Sequence, residues 1–434
     1  MASANPRTLP PRPCTPPLDR GFRRARSMNC RHCQAPLTQR FLDLGFAPPS
    51  NAYRDLADLT RPEVHYPLRL QVCTHCWLVQ TEDYAQAEAL FADDYAYFSS
   101  TSSSWCAHAA RYAETMIGRL ALGAEALVME VAANDGYLLR NFVAAGIPCL
   151  GIEPTASTAR VAERQGIPIL QEFFGRALGE RLRREGRQAD LLIGNNVVAH
   201  VPDINDFAQG LALALKPHGL LTLEFPHLLQ LLEQGQFDTV YHEHFSYLSL
   251  HTLQRILDAA GLRIHDVEEL STHGGSLRIH AGHAAAAPEP SLRVAQLLAR
   301  ERAGGLQRLE TYLHFQARAE AVKNAFLTFL LEQKRAGRTI AAYGAAAKGN
   351  TLLNYAGVKP DLLPFICDAA PSKQGRLLPG SHIPIRPPGE LETAKPNWVL
   401  ILPWNLTAEI VSQLAGIRAW QGRFVTVIPT LELH

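Results

Sequence analysis

The sequence predicts an α/β protein in which a small cysteine-bearing module precedes two units built on parallel sheets. Two observations indicate this: paired Cys-x-x-Cys motifs near the N-terminus, and two places where a strand pattern runs into a turn of small residues and then a helix. At 434 residues the chain exceeds what one hydrophobic core usually organises. We therefore expect a disordered tail, a metal-binding module and two α/β domains, at residues 1–27, 28–104, 105–284 and 285–434.

Composition limits the kinds of partner. Hydrophobic residues make up 47% of the chain and the formal net charge is only +1, so there is no basic field for nucleic acid or an anionic membrane. No apolar run approaches the roughly 20 residues that span a bilayer, and the N-terminus lacks the apolar segment of a signal peptide. We expect a cytoplasmic protein that binds a small molecule, with neither nucleic acid nor a membrane as partner.

The tail at residues 1–27 is rich in Pro and Arg and has no periodic apolar pattern, which predicts disorder. Met28 is a candidate for the true start. The module that follows contains the four paired cysteines Cys30, Cys33, Cys73 and Cys76.

These two Cys-x-x-Cys pairs predict a zinc site. Each pair places two thiolates on one side of a tight turn, and two such turns complete a closed tetrahedral site. His32 and His75 lie inside the motifs, so a site of three cysteines and one histidine is an alternative, and a redox dithiol is another. A closed four-cysteine site leaves no position for water, which predicts a structural metal that takes no part in catalysis.

The first α/β unit contains a nucleotide-type turn. After a helix at 112–120, the strand pattern at 126–132 ends in Glu130-Val-Ala-Ala-Asn-Asp-Gly136, although Ala132 stands where glycine is common. The next strand, 148–152, delivers Glu153 to a position suited to the ribose hydroxyls of an adenosine. The predicted cofactor-binding residues are Glu130, Ala132, Asn134, Asp135, Gly136, Glu153 and Asn195.

The remaining strands of this unit indicate its class. They are predicted at 189–194 and 219–225, followed by a hairpin of 262–270 with 276–283. A closing hairpin of this kind is more typical of an S-adenosylmethionine methyltransferase sheet than of a dehydrogenase.

Four consecutive proton-handling side chains, Tyr241, His242, Glu243 and His244, indicate proton transfer. Adjacent side chains often point apart, so we do not expect His242 to face the site. His200 follows the strand at 191–196, at the edge of an open sheet where active sites gather.

The second α/β unit follows an Ala- and Pro-rich linker at 284–290 and a helix at 292–334. A strand at 339–343 leads into Gly344-Ala-Ala-Ala-Lys-Gly-Asn350, then a helix, and a strand at 364–367 that ends in Asp368. This is not a Walker A loop, but a backbone-rich turn at a helix N-terminus with one lysine suits a diphosphate. The alternative is a Rossmann repeat kept only for packing. Two strands, 398–402 and 423–428, complete the domain.

Five motifs together carry a resemblance to the nucleotide-sugar C-methyltransferases, of which the TDP-sugar C-3 methyltransferases are the best-known type. They are Glu130-Val-Ala-Ala-Asn-Asp-Gly-Tyr-Leu138, Asn195-Asn-Val-Val-Ala-His-Val-Pro-Asp203, Tyr241-His-Glu-His-Phe-Ser-Tyr247, His273-Gly-Gly-Ser-Leu-Arg278 and Tyr343-Gly-Ala-Ala-Ala-Lys-Gly-Asn350. The resemblance implies a zinc module, a central S-adenosylmethionine domain and a C-terminal Rossmann-like domain. It further implies that Tyr95 lines the substrate pocket and that a nucleotide sugar contacts His273, Arg278, Gly344, Lys348 and Asn350.

The implied reaction explains the proton-handling cluster. A keto group at C4 of the sugar makes the C3 proton removable through an enolate, which requires a base and donors to the developing oxyanion. His244 suits the base and Glu243 an orienting or relay group, while Tyr241 and His200 are candidate donors. Competing hypotheses are an O- or N-methyltransferase, an NAD-dependent sugar oxidoreductase and a zinc scaffold without activity. The oxidoreductase hypothesis lacks support because the chain contains no uninterrupted G-x-G-x-x-G, the motif expected for binding a dinucleotide.

Overall fold

The computed structural model describes residues 28–82, 84 and 98–434, so the tail at 1–27 and Tyr95 lie outside the described residues. The cysteine module is built on a four-stranded antiparallel sheet of order β1-β2-β3-β9. Its strands are Gln39–Ala47 (β1), Tyr66–Val72 (β2), Val79–Thr81 (β3) and Ser246–Tyr247 (β9). The fourth strand comes from the middle of the chain, directly after the proton-handling cluster, and therefore joins that cluster to the module.

The central unit is a seven-stranded sheet of order β10-β11-β8-β7-β4-β5-β6. Its strands are Val128–Val131 (β4), Cys149–Ile152 (β5), Ile169–Leu170 (β6), Ala189–Asn195 (β7), Leu215–Pro226 (β8), Leu262–Leu270 (β10) and Ser276–His283 (β11). The strands β8, β7, β4, β5 and β6 run parallel, and β11 pairs antiparallel with both β8 and β10.

Helices accompany this sheet. They are Ser103–Leu120 (α1), Leu139–Ala144 (α2), Ala156–Arg164 (α3), Arg176–Arg184 (α4), Ile204–Ala214 (α5), Leu228–Gln234 (α6) and Leu250–Ala259 (α7). The inner strands β4 and β5 are buried along their whole length, as expected for parallel strands covered on both faces.

The predicted methyltransferase order is confirmed. The reversed strand β11 lies between β8 and β10, and the bounds of this hairpin are those predicted from the sequence, 262–270 and 276–283. A dehydrogenase sheet would continue parallel at this edge.

The C-terminal unit begins with three helices, Leu292–Ala303 (α8), Leu309–Leu313 (α9) and Phe315–Arg335 (α10). The prediction of one continuous helix over 292–334 was wrong. The chain leaves helical geometry at Gly304 and Gly305, where Gly305 has a φ of +82°, and Arg308 is extended before the next helix. A glycine pair permits this break because positive φ costs glycine little.

The C-terminal sheet has the order β14-β13-β12-β15-β16-β17, parallel except for the last strand. Its strands are Ile340–Tyr343 (β12), Ile366–Cys367 (β13), Ile385–Arg386 (β14), Trp398–Ile401 (β15), Arg423–Thr426 (β16) and Glu432–Leu433 (β17). Helices Ala347–Ala356 (α11), Glu390–Ala394 (α12) and Thr407–Gln413 (α13) complete the unit. This confirms a second Rossmann-like α/β unit.

The three units pack against one another. One hydrophobic cluster contains Phe41 of the module, Phe237 of the central unit and Leu400 of the C-terminal unit. The hydroxyl of Tyr53 donates to the carbonyl of Ala345 at 2.6 Å, which joins the module to the C-terminal unit. Among the described helices, none has the length and apolarity to cross a membrane.

Candidate active site

The four paired cysteines converge. Within the part of the chain that the structure describes, Cys30, Cys33, Cys73 and Cys76 form the one group of metal-ligating side chains whose ligand atoms all lie within 4.8 Å of one another. The Sγ atoms of Cys30 and Cys76 are 3.4 Å apart. A hydrogen bond from Cys76 lowers the pKa of the Cys30 thiol to about 4. Four sulfur donors at this spacing fit a tetrahedral zinc ion.

The two turns that carry these cysteines have the same backbone design. In the first, the backbone N–H of Gln34 donates to the carbonyl of Cys30, and in the second that of Trp77 donates to Cys73. Gln34 and Trp77 each follow the second cysteine of their pair and have φ values of 61° and 64°. His32 bonds Asn205 at 2.9 Å, so its ring is engaged away from the metal ligands.

The zinc site gives a testable expectation. Replacing Cys76 by Ser removes one of four ligands, so we expect loss of metal and a lower thermal midpoint, because metal binding contributes directly to folding of such a module. Cys106→Ser is the matched control, since that thiol is partly exposed, lies outside the cysteine cluster and donates to the carbonyl of Ser100. Metal analysis of freshly purified wild-type protein should give one zinc per chain; a metal-free, folded protein would contradict the site.

The nucleotide-type turn after β4 is held in an unusual backbone conformation. Ala132 and Asn134 have φ values of 60° and 50°, and Gly136 has 79°. A Cβ at Gly136 would lie 2.4 Å from Cδ1 of Ile167 and 3.2 Å from Cβ of Ala162 in helix α3, so this helix and the residues after it leave little room for a side chain here. Both oxygens of Glu153 accept backbone N–H bonds at 2.9 Å, from Asn134 and Thr155. The carboxylate at the end of β5 therefore shapes the turn after β4.

Acceptor atoms without protein partners line this edge of the sheet. Among the described residues, both carboxylate oxygens of Glu130, Oδ1 of Asp135 and Oδ1 of Asn195 are buried and receive no hydrogen bond. Burial raises the pKa of Glu130 well above its usual range. Buried acceptors are costly unless they are bonded, so a ligand with an ammonium group and hydroxyls fits this edge. S-adenosylmethionine has both.

The Glu153 carboxylate is expected to contribute to cofactor affinity. Glu153→Ala should weaken S-adenosylmethionine binding by ~1.5–3 kcal/mol, the range for a hydrogen bond to a charged group. Glu163→Ala, at an exposed position of α3, is the matched control and should bind normally. Calorimetry decides the matter, and equal affinity of the Glu153 variant and wild type would refute this role.

The side chains of residues 241–244, the proton-handling segment, point in three directions. His242 packs edge-on against the ring of Tyr66 at 5.9 Å, and its Nε2 lies 3.3 Å from the carbonyl of Pro67 in β2. Glu243 accepts a hydrogen bond from the side-chain amide of Asn51 at 2.5 Å. The ring of His244 instead contacts Tyr241. His242 thus faces the module, as the alternation of adjacent side chains predicts.

An aromatic cluster forms around the buried His244. Its ring lies 3.8 Å from that of Tyr241 and 4.6 Å from that of His200, and Tyr247 is at 5.9 Å. Nδ1 of His244 is 2.9 Å from the carbonyl of Thr239, an acceptor, so Nδ1 holds the proton and Nε2 is left with its lone pair. Burial, with His200 nearby, lowers the pKa of His244 well below its ordinary value. The ring is therefore neutral and able to accept a proton.

Lys348 brings a half-buried cation to the same region from the C-terminal unit. Its Nζ donates to Oδ1 of Asn405 at 3.0 Å and to the carbonyl of His273 at 3.3 Å, and lies 4.7 Å over the ring of Trp404. Burial lowers its pKa to about 8, and the charge of Asp238 opposes that shift. Among the charges that affect His244 are those of Lys348 and His273, which places all three in one electrostatic environment.

The other predicted substrate contacts occupy different settings. Arg278 donates to the buried Oε2 of Glu224 at 2.7 Å and lies 4.6 Å over the Tyr112 ring, so its charge is already paired. Nδ2 of Asn350 bonds the carbonyl of Ser50 at 3.4 Å. The nucleotide roles of these two residues remain predictions.

The remaining two predicted substrate contacts are Gly344 and His273. Gly344 has a φ of +90°, and a Cβ there would meet Pro403 at 2.4 Å. His273, with a φ of 55°, places Nε2 3.3 Å from Nδ2 of Asn196. These positions suit substrate contacts, which likewise remain predictions.

Sequence reasoning missed three residues that reach the site. Asn51 binds Glu243, Trp105 stacks on Tyr137 at 5.9 Å, and Asp238 accepts a bond from Trp404 at 2.7 Å. No local signal links them to the cluster, since their partners are distant in sequence.

Three family models match the chain in succession. They are described as "Putative zinc binding domain" over residues 30–91, "Methyltransferase domain" over 105–267 and "C-methyltransferase C-terminal domain" over 271–429. Together with the sheet order and the cysteine cluster, these matches define an S-adenosylmethionine-dependent methyltransferase with a zinc-binding module.

The C-methyltransferase NovU of Streptomyces niveus is 35% identical over 367 residues, which cover 85% of this chain and 87% of NovU. The chain belongs to this C-methyltransferase family. An uncharacterized methyltransferase of Mycobacterium leprae is 27% identical over 99 residues, or 23% of this chain and 36% of the relative. Magnesium protoporphyrin IX methyltransferase of Synechocystis, solved with SAH, gives a TM-score of 0.33 at 17% identity, over 41% of this chain and 82% of that one.

Proposed function

We propose that this C-methyltransferase methylates C3 of an NDP-4-keto-6-deoxyhexose, a small-molecule substrate, through an enolate. The observation that carries the proposal is the cluster of the buried His244 with the half-buried Tyr241 and His200, which shares its electrostatic environment with the Lys348 cation. Such a cluster supplies a proton acceptor and hydrogen-bond donors beside a positive charge. Transfer to oxygen or nitrogen does not need the removal of a carbon-bound proton.

His244 is the proposed base. Because the Thr239 carbonyl holds the proton on Nδ1, the lone pair of Nε2 is available without any change of tautomer. The C3–H bond breaks, its proton goes to Nε2, and its electron pair moves into the enolate, so that negative charge develops on the C4 oxygen. Loss of water from this buried cluster strengthens each electrostatic contact to that oxygen.

Tyr241 is the better-placed donor to the C4 oxygen. The backbone carbonyl of Glu243 accepts a hydrogen bond from the His200 ring, and burial lowers the His200 pKa to about 4. A neutral imidazole has one N–H, so this bond leaves His200 without a second proton to donate. We therefore assign the oxyanion contact to the Tyr241 hydroxyl and an orienting contact to His200.

The edge of the central sheet would hold S-adenosylmethionine. Glu130, Asp135 and Asn195 offer buried acceptors for its ammonium group and hydroxyls, and Glu153 lies at the end of β5 for the ribose. When bound, the cofactor supplies an electrophilic methyl group, which the C3 carbanion takes. The surrounding chain excludes water from the reacting carbon.

The turn from Gly344 to Asn350 is the proposed site for the diphosphate. It joins β12 to the N-terminal end of α11, where backbone N–H groups favour anions. Lys348, on the first turn of that helix, adds a positive charge. Its ammonium group donates to the carbonyl of His273, and both residues affect the pKa of His244, so the proposed diphosphate site lies in the electrostatic environment of the proposed base.

A substrate panel tests this function. Purified enzyme with S-adenosylmethionine should add one methylene to an NDP-4-keto-6-deoxyhexose, detected by mass, and should leave the matching 4-hydroxy sugar unchanged because that sugar forms no enolate. Equal methylation of both sugars would refute the enolate route. Lack of reaction across thymidine, guanosine and cytidine diphosphate sugars would refute the substrate class.

A further inference from the structure

The cysteine module contacts the proton-handling segment, or the strand β9 that follows it, at three points. Its strand β3 pairs with β9, in the register Val79 to Tyr247 and Gln80 to Ser246. His242 packs on the ring of Tyr66 in β2. The third point is the loop between β1 and β2, where Asn51 contacts Glu243. The module is thus part of the wall of the site.

The third contact, between Asn51 and Glu243, is a hydrogen bond to a carboxyl group that can carry charge. Glu243 is 1% exposed, and its Oε2 accepts the side-chain amide of Asn51 at 2.5 Å. The backbone of Asn51 also donates to this carboxyl. One residue of the module therefore contributes two donors to a buried acid of the central unit.

Few other groups can stabilise charge on Glu243. The charge of Glu243 contributes to a raised pKa of Tyr53, which lies in the same loop of the module. On the C-terminal side, Lys373 lies near Tyr53, but its ammonium group is paired with Asp368 at 3.4 Å. From the central unit, His200 contacts the Glu243 backbone rather than its carboxyl. A buried carboxylate needs hydrogen-bond donors to remain ionised, which gives Asn51 a specific task.

We infer that Asn51 is a positioning residue that holds Glu243 as an oriented carboxylate during proton transfer at His244. The inference rests on the proposed function, because it assumes that His244 becomes protonated when the C3 proton is removed. Glu243 directly precedes His244 in the chain, so its carboxylate favours the resulting imidazolium through space rather than by a direct contact. Burial raises the pKa of Glu243 to about 7, and the bonds from Asn51 oppose that rise. The rate should therefore increase with pH as Glu243 ionises.

The test replaces Asn51 by Asp, which keeps the size, removes the amide donor and adds a like charge. The acid limb of the pH profile for release of the C3 proton should move upward by about one pH unit or more, with a rate at pH 7 roughly tenfold lower and recovery at higher pH. A merely structural defect would lower the rate at every pH. Asn51→Ala should give a smaller shift in the same direction.

Asn205→Ala is the matched control. This side chain also links the module to the central unit, but it does so by donating to the carbonyls of Arg31 and His32 at 3.2 and 2.9 Å rather than to Glu243. Its pH midpoint should equal that of wild type. Zinc content, measured for each variant, shows that the module is folded.

A second readout does not depend on the substrate. In protein labelled at the glutamate carboxyl carbon with ¹³C, the resonance lost in Glu243→Gln reports the ionisation of Glu243, and its midpoint should rise in Asn51→Asp. An unchanged midpoint would overturn the role of Asn51 whatever the enzyme methylates. If wild type releases no C3 proton, the proposed function fails, and the carboxyl titration still decides for or against Asn51.

Discussion

Replacing His244 by Asn should lower the rate of methyl transfer by ~10²–10⁴, the usual cost of removing a general base. Asparagine keeps a polar side chain of smaller volume, so the cluster with Tyr241 and His200 should persist and both ligands should still bind. The loss should therefore fall on kcat, with little change in the affinity for S-adenosylmethionine. Rapid-quench rates and calorimetry measure these two quantities separately.

Deuterium at C3 shows which step is lost. Wild-type enzyme with S-adenosylhomocysteine should release the label to solvent, and the His244 variant should not. His242→Asn is the matched control, because that ring faces Pro67 and Tyr66, and it should retain exchange. Normal exchange in the His244 variant would move the base role to Glu243.

Lys348→Met should raise the KM for the nucleotide sugar roughly 10- to 150-fold, the equivalent of ~1.5–3 kcal/mol for a hydrogen bond to a charged group. The change removes the cation beside the Gly344 turn but keeps a side chain of similar length. Affinity for S-adenosylmethionine should be unchanged. Steady-state kinetics with each ligand varied in turn will show this split.

The same lysine predicts a pH dependence. Burial lowers its pKa to about 8, so the charged form predominates below that value and is lost above it. The KM of wild type for the nucleotide sugar should rise as pH increases through about 8, and that of Lys348→Met should not follow. Lys323→Met is the control, since that cation lies 4.8 Å over Tyr355, away from the turn. The KM of the control should rise with pH as that of wild type does, and an equal rise in Lys348→Met would contradict the assignment.

The strands and their order could be predicted because their signals are local. The hairpin β10–β11 has alternating patterns bounded by polar turns, and its predicted bounds equal those observed. The glycine break in the helix at 292–334 was missed because apolar spacing continues on both sides of Gly304. In that stretch the helical spacing of apolar residues was given more weight than the glycine pair, which is a local signal for a helix end.

The contacts that complete the site depend on tertiary structure. Strand β9 has two residues and no pattern of its own, and it exists because β3 offers a free edge. Asn51 meets Glu243 across 192 positions of sequence. The sequence alone predicted a structural zinc that takes no part in catalysis, and the structure adds that the module carrying the four cysteines lies against the proton-handling segment. The motif residues themselves were found locally; their partners were not.

The position of the new methyl group tests the central claim most directly. The enzyme is incubated with S-adenosylmethionine labelled with ¹³C in its methyl group and with an NDP-4-keto-6-deoxyhexose, and the product is analysed by long-range carbon–proton NMR. The account predicts that the labelled methyl is bonded to C3 and that the C3 proton is gone. A labelled methyl on oxygen, or on a carbon other than C3, would contradict it.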